Sequence, residues 1–168
     1  MKITVAAEPF DSADSRRLIA ALDAHLSSRY PPDQRFGPNL KAEHLAPGLG
    51  EFVIARADGL AIGCGAIRRL DETTVELKRM YVEPELRGRG VAKKILGRLE
   101  AAARVIGARR LVLETGIYQA EAIGLYHQAG YRPIDCWGEY ANSSTRACFE
   151  KSSTYKSSTY RRSREVKT

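Results

Sequence analysis

Residues 73–83 read as a strand, and Glu83-Pro84-Glu85-Leu86 carries the chain from it into Arg87-Gly88-Arg89-Gly90-Val91-Ala92, where an apolar-periodic helix opens. This junction limits the fold more than any other feature. A strand, a crossing helix and a further strand commit the chain to an α/β sheet containing a parallel pair. Gly88, Gly90 and Ala92 keep side chains small where a ligand would approach the backbone. The first turn of the helix leaves N–H groups unpaired at the positive end of its dipole, which suits a pyrophosphate. Arg87 and Arg89 would add charge-assisted donors. Taken alone, Gly-x-Gly is equally a turn between two solvated arginines. Neither Gly-x-x-x-x-Gly-Lys nor a full Gly-x-Gly-x-x-Gly is present.

The strand before the junction changes parity. Val75 and Leu77 share one face, whereas Met80 and Val82 fall on the other. A β-bulge near Lys78–Arg79 reconciles the halves, and a strand buried on both faces is the alternative. Around it the elements alternate. Residues 2–7 read as a strand, and Asp11 or Ser12 caps a helix with Leu18, Leu22 and Leu26 at four-residue intervals. Tyr30-Pro31-Pro32 ends that helix, and a polar loop with a short helix near Leu40–Leu45 follows. Strands over 51–57 and 60–70 join at Asp58-Gly59, a hairpin signal. The helix after the junction runs from about Arg89 to Ile106 with Val91, Ile95, Leu99, Ala102 and Ile106 as its stripe, and Gly107 ends it. A strand at 110–114, a helix at 120–129, and strands near 131–134 and 146–151 complete a mixed α/β sheet.

Composition sets the setting. The 168 residues, 43% of them hydrophobic, suit one domain, and no apolar run nears the ~18 residues of a membrane span. The N-terminus lacks a signal-peptide core. Cys64, Cys136 and Cys148 are odd in number and widely spaced, so neither a disulfide framework, a zinc cluster nor any other metal site is expected, and a cytoplasmic setting is the default. Cys64, between two glycines in a strand, reads as a small buried hydrophobe. His25, His44 and His127 are isolated and read as structural or exposed. Of the net charge of +7, the segment from Lys151 onward contributes +5. That segment repeats Lys-Ser-Ser-Thr-Tyr at 151–155 and 156–160, so the domain is expected to span 1–151, followed by a basic, Ser/Thr-rich, disordered tail at 152–168. Specific nucleic-acid binding is not expected from such a tail.

Arg87-x-x-Gly90-x-Ala92 after Val82-x-Pro84 resembles the acyl-CoA signature of the GNAT N-acetyltransferase superfamily. Ala122-x-x-Leu125-Tyr126-x-x-x-Gly130-Tyr131 resembles a second element of that family at the expected distance. The resemblance runs from about Ile3 to Lys151 and is strongest over Gly63–Tyr131. ELKRMYV with LETG is similar to a branch of small bacterial members. Gln119 departs from the Asn that many relatives carry there.

The resemblance implies a GNAT fold: a mixed, mostly antiparallel, bent sheet flanked by helices, with acetyl-CoA as cosubstrate entering a gap between two parallel strands. It implies acetyl transfer to a primary amine by direct attack in a ternary complex, in a chain that could also pair as a homodimer. The backbone at Met80, Tyr81 and Val82 would meet the pantetheine arm, and the amides of Arg87, Gly88, Arg89, Gly90, Val91 and Ala92 the pyrophosphate. Gln119 would be a further CoA contact. Glu76 is placed as general base, with a solvent-facing strand carboxylate as its bland alternative and Glu114 as competitor. Tyr126 matches the general acid and the CoA-contacting tyrosine, or is a core residue at helical spacing. Tyr30 and Glu114 are candidates for the acceptor side. A protein acetyltransferase, a silent acyl-CoA-binding module and a nucleic-acid-associated protein are the alternatives.

Overall fold

Asp58 and Gly59 both take positive φ, 48° and 88°, and this tight turn folds β2 (Gly50–Ala57) antiparallel onto β3 (Leu60–Arg69). A computed structural model describes residues 1–32 and 40–152. β1 (Ile3–Ala7) pairs with β2, and β4 (Thr74–Val82) with β3, both antiparallel. The crossing helix α2 (Val91–Val105) makes β5 (Arg110–Gly116) parallel to β4. After α3 (Ala120–Gln128), β6 (Arg132–Ile134) and β7 (Arg146–Ser152) close a sheet in the order β1-β2-β3-β4-β5-β7-β6. Among the described residues β4/β5 is the one parallel pair, as expected. No helix among the described residues is long and apolar enough to cross a membrane.

The two faces of the sheet differ. On one, Val91, Ile95, Leu99 and Ala102 of α2 are buried against Val75, Leu77, Leu111 and Leu113. Ile106, expected in the stripe, is only half-buried because the helix has already ended. On the other face, α1 (Ala13–Arg29) is started by Ser12, whose Oγ accepts from Ser15 N, and packs Leu18 and Leu22 against Phe52, Ile54 and Cys64. The short helix foreseen near Leu40–Leu45 is a 3₁₀ turn at Ala42–Leu45, and part of the polar loop before it lies outside the described residues.

The parity change in β4 is a bulge. Ala66 pairs with Lys78 and Cys64 with Tyr81, so Arg79 and Met80 together face Gly65. Arg79 takes φ 59°, and the extra residue returns Met80 and Val82 to the α2 face shared by Val75 and Leu77. The first half of β4 is nevertheless buried on both faces, because Thr74 and Glu76 are also buried.

The unpaired-cysteine expectation is corrected. Cys136 and Cys148 form a disulfide. Ile134 pairs with Cys148 across β6/β7, which brings the cysteine two residues beyond Ile134 back to β7. Cys64 is the free, fully buried thiol, and burial pushes its pKa up to about 12. At the C-terminus Ser152 belongs to β7, one residue past the expected boundary, and the rest of the tail lies outside the described residues.

Candidate active site

β4 and β5 pair only from Thr74–Leu77 to Arg110–Leu113. Beyond that, β4 stays with β3 as far as Val82, while β5 stays with β7 as far as Gly116. The inner edges of the two strands therefore part, and the backbone of Lys78–Val82 no longer bonds to β5. The bulge lies on this separated stretch.

The glycine turn follows β4 directly. Pro84–Leu86 form one 3₁₀ turn, then Gly88 and Gly90 adopt φ of 75° and 80°. A Cβ at either would meet nothing within 4 Å, so these glycines serve the left-handed backbone and an open approach, not internal packing. α2 starts at Val91 with Gly90 as its cap and no side chain on its first-turn amides. Those uncapped amides and the open space beside them fit a pyrophosphate. Arg89 is exposed. Arg87 instead turns back: its Nε donates to Val82 O at 3.0 Å and its guanidinium lies 5.7 Å from the Tyr81 ring centre. The Tyr81 side chain is on the α1 face and donates to Glu83 at 3.4 Å, so only its backbone borders the gap. Gln119 caps α3, its N–H donating to the carbonyl of Gly116, the last residue of β5.

On the sheet face away from α2, alternate residues of β4, β5 and β7 bring charges together. Glu76 is 2% exposed, which excludes the solvent-facing alternative. It accepts from Lys78 Nζ at 3.1 Å, and Arg68 Nε stands 3.5 Å away. Glu114 lies 2.8 Å from Arg146 Nη1, an ion pair whose alignment does not make a hydrogen bond at Oε1. Burial raises the Glu114 pKa above the usual carboxylate range, Arg146 and Lys78 pull it back, and Glu76 pushes it further up. Tyr140, on a 3₁₀ turn at Gly138–Tyr140, is 3% exposed, and its hydroxyl has no partner among the described residues. Burial, then Glu76 and Glu114, raise its pKa.

Tyr30 joins this group through Arg146, whose guanidinium lies 5.1 Å from its ring centre. It also accepts from Tyr118 N at 3.2 Å, which holds the end of α1 against the segment after β5. Tyr126 is buried among the α2-side residues, with its ring 5.7 Å from Tyr131. Burial raises its pKa first and the charge of Glu114 second, so this phenol holds its proton. The fold thus gathers Glu76, Glu114 and, through Arg146, Tyr30 on the face away from α2, and leaves Tyr126 on the α2 side of the sheet. Arg68, Lys78, Arg146 and Tyr140 escaped the sequence reading. Only Lys78 left a signal there, two residues from Glu76 on the same strand face, whereas the others come from β3, β7 and a distant turn.

The GNAT acetyltransferase family model matches residues 18–131. Over 136 residues the chain is 37% identical to IAA acetyltransferase of Azospirillum brasilense, covering 80% of this chain and 88% of that one. A Klebsiella pneumoniae structure described as an acyl-CoA N-acyltransferase superposes with a TM-score of 0.79 at 33% identity, covering 90% of this chain and 98% of that one. A GNAT acetyltransferase from Elizabethkingia anophelis, solved with acetyl-CoA bound, shares the fold with a TM-score of 0.62 at 18% identity, covering 89% and 97%. With the parted strands and the open glycine turn, these likenesses establish that the chain belongs to the GNAT acetyltransferase family and uses acetyl-CoA as cosubstrate.

Proposed function

We propose that this acetyltransferase moves the acetyl group to the primary amine of a small molecule by direct attack in a ternary complex. The observation that carries the reading is the pair of the buried Glu76 and the mostly buried Glu114 on the face opposite α2, where β4 and β5 separate. Side chains that lie beneath the surface suit a compact amine better than a protein chain. The 37%-identical relative is named for a reaction on IAA, which also favours a small acceptor.

Acetyl-CoA lies with its pyrophosphate on the amides of Arg87–Ala92 and its pantetheine arm along the backbone of Met80–Val82, with Gln119 beside it. It supplies an activated thioester. Glu114 takes the proton from the acceptor ammonium, because its raised pKa makes it a better base than an ordinary carboxylate. Glu76, engaged by Lys78 and Arg68, fixes the charge pattern around it. The amine lone pair forms the C–N bond, the C–S bond breaks, the Tyr126 hydroxyl donates its proton to the departing thiolate, and the second proton, lost by the acylated nitrogen, restores the phenol by way of solvent. A thiol-release assay with acetyl-CoA across panels of small amines and of lysine peptides tests the proposal. Turnover confined to peptides would overturn it.

A further inference from the structure

Arg68, Lys78 and Arg146 stand with the carboxylates Glu76 and Glu114 on the face of the sheet where the acceptor would enter. All five side chains are mostly buried: Arg68 is 18% exposed and the others less. The carboxylates are already engaged, Glu76 by Lys78 and Arg68, Glu114 by Arg146. Within this group of five the cations outnumber the carboxylates by one, in a poorly solvated place where a further hydrogen-bond acceptor is favoured. Two polar groups mark where that hydrogen-bond acceptor belongs. Arg68 Nε makes no hydrogen bond, and neither does the hydroxyl of Tyr140, although both are buried. Tyr140 senses Glu76, Glu114 and Arg68, so its phenol lies within reach of the cluster's field. A protonated phenol and a guanidinium N–H are both donors, and what they lack is an acceptor.

We propose that the acetyl acceptor is an amino acid, an amine that carries a carboxylate, and that Arg68, Lys78, Arg146 and the Tyr140 hydroxyl receive the carboxylate. The proposal rests on the acetyl-transfer reading above and names its substrate class. Carboxylate oxygens accept without donating, and a guanidinium fork matches them in plane, so these four groups suit a carboxylate. The ammonium end meets Glu76 and Glu114. Opposite ends of the acceptor thus face opposite charges, which fixes the amine toward the gap between β4 and β5. Its attack on the thioester yields an N-acetyl amino acid and free CoA thiol.

The test uses the full chain with acetyl-CoA and matched acceptors: a set of amino acids, their carboxamides, their decarboxylated amines and aminoalkyl phosphates. The best amino acid should exceed its carboxamide and its decarboxylated amine in kcat/KM by about 100-fold, as expected for two charge-assisted hydrogen bonds. Arg68→Gln should shrink that ratio about tenfold, with KM for the amino acid carrying the change and the CoA dissociation constant from calorimetry unaltered. Equal or better turnover of decarboxylated amines or aminoalkyl phosphates overturns the carboxylate assignment and leaves acetyl transfer to amines standing. No thiol release with any amine, while CoA still binds, overturns both readings. The wild-type ratio decides the question even if Arg68→Gln folds poorly.

Discussion

The hydroxyl of Tyr30 occupies the place from which a side chain at Gly116 would grow. The ring has little freedom to retreat, because it is buried, sits beside Arg146 and holds Tyr118 N through its hydroxyl. This contact joins the end of α1 to the end of β5 beside Glu114. Gly116→Ala should therefore cost about 1 to 3 kcal/mol, the usual scale of overpacking, and lower Tm by roughly 2 to 12 °C. Tyr30→Leu should be less costly in the Gly116→Ala background than in the wild type. Strictly additive melting shifts would show that the two residues do not share the space.

Gly90 carries φ 80° at the start of α2 with open space beside it. Gly90→Val fills that approach and strains the left-handed backbone. Binding of CoA, followed by calorimetry on protein checked for folding by circular dichroism, should weaken at least about tenfold, or 1.4 kcal/mol. An unchanged dissociation constant would separate the pyrophosphate from this turn.

Tyr126→Phe keeps the ring against Tyr131 and Phe149 and removes the proton. The turnover number should fall about 100-fold, the scale of general acid catalysis, with CoA affinity retained. Wild-type turnover under conditions where chemistry limits the rate would reduce Tyr126 to packing.

Glu114 has its pKa raised chiefly by burial. A base acts when deprotonated, so log kcat/KM should fall as pH drops through that raised value, above the range of an exposed glutamate. In Glu114→Gln the rate should be low and this acidic limb absent, whereas Glu76→Gln should keep the limb. If the limb disappears in Glu76→Gln and survives in Glu114→Gln, the two roles are exchanged.

The Cys136–Cys148 disulfide closes a loop with a separation of 12 residues that carries Tyr140. Cys136→Ser, or reduction, should lower stability by about 3 kcal/mol on loop entropy. The matching fall in Tm is roughly 6 to 12 °C. Tm measured with and without reductant checks this, and Cys136→Ser should no longer respond to reductant. Equal Tm in both buffers for the wild type would show that the bond does not form.

What the sequence determined is the local grammar. Asp58-Gly59 demands positive φ at successive residues, so the hairpin is legible without any tertiary information. The apolar period of α2 together with Gly88 and Gly90 likewise fixes a strand, an open turn and a helix start. The parity break in β4 announced its bulge, because a strand that must bury Val75, Leu77, Met80 and Val82 on one face needs an extra residue between the pairs. Glu76 and Tyr126 were legible only as motif positions. Their surroundings were not, because burial and charge partners come from strands far apart in the chain.

Tertiary structure alone decided those surroundings. Register placed Arg68 opposite Glu76 and Cys148 opposite Glu114, two pairings set by the sheet and not by sequence spacing. The same folding brought Cys136 to Cys148 and set Tyr140 near both carboxylates, which count and spacing could not reveal. The folded turn also engages Arg87, whose Nε donates to the carbonyl of Val82. A short-range pattern reports which face a side chain takes, because backbone geometry repeats every few residues. The groups waiting on that face are chosen by chain segments tens of residues away, and only their packing brings them together.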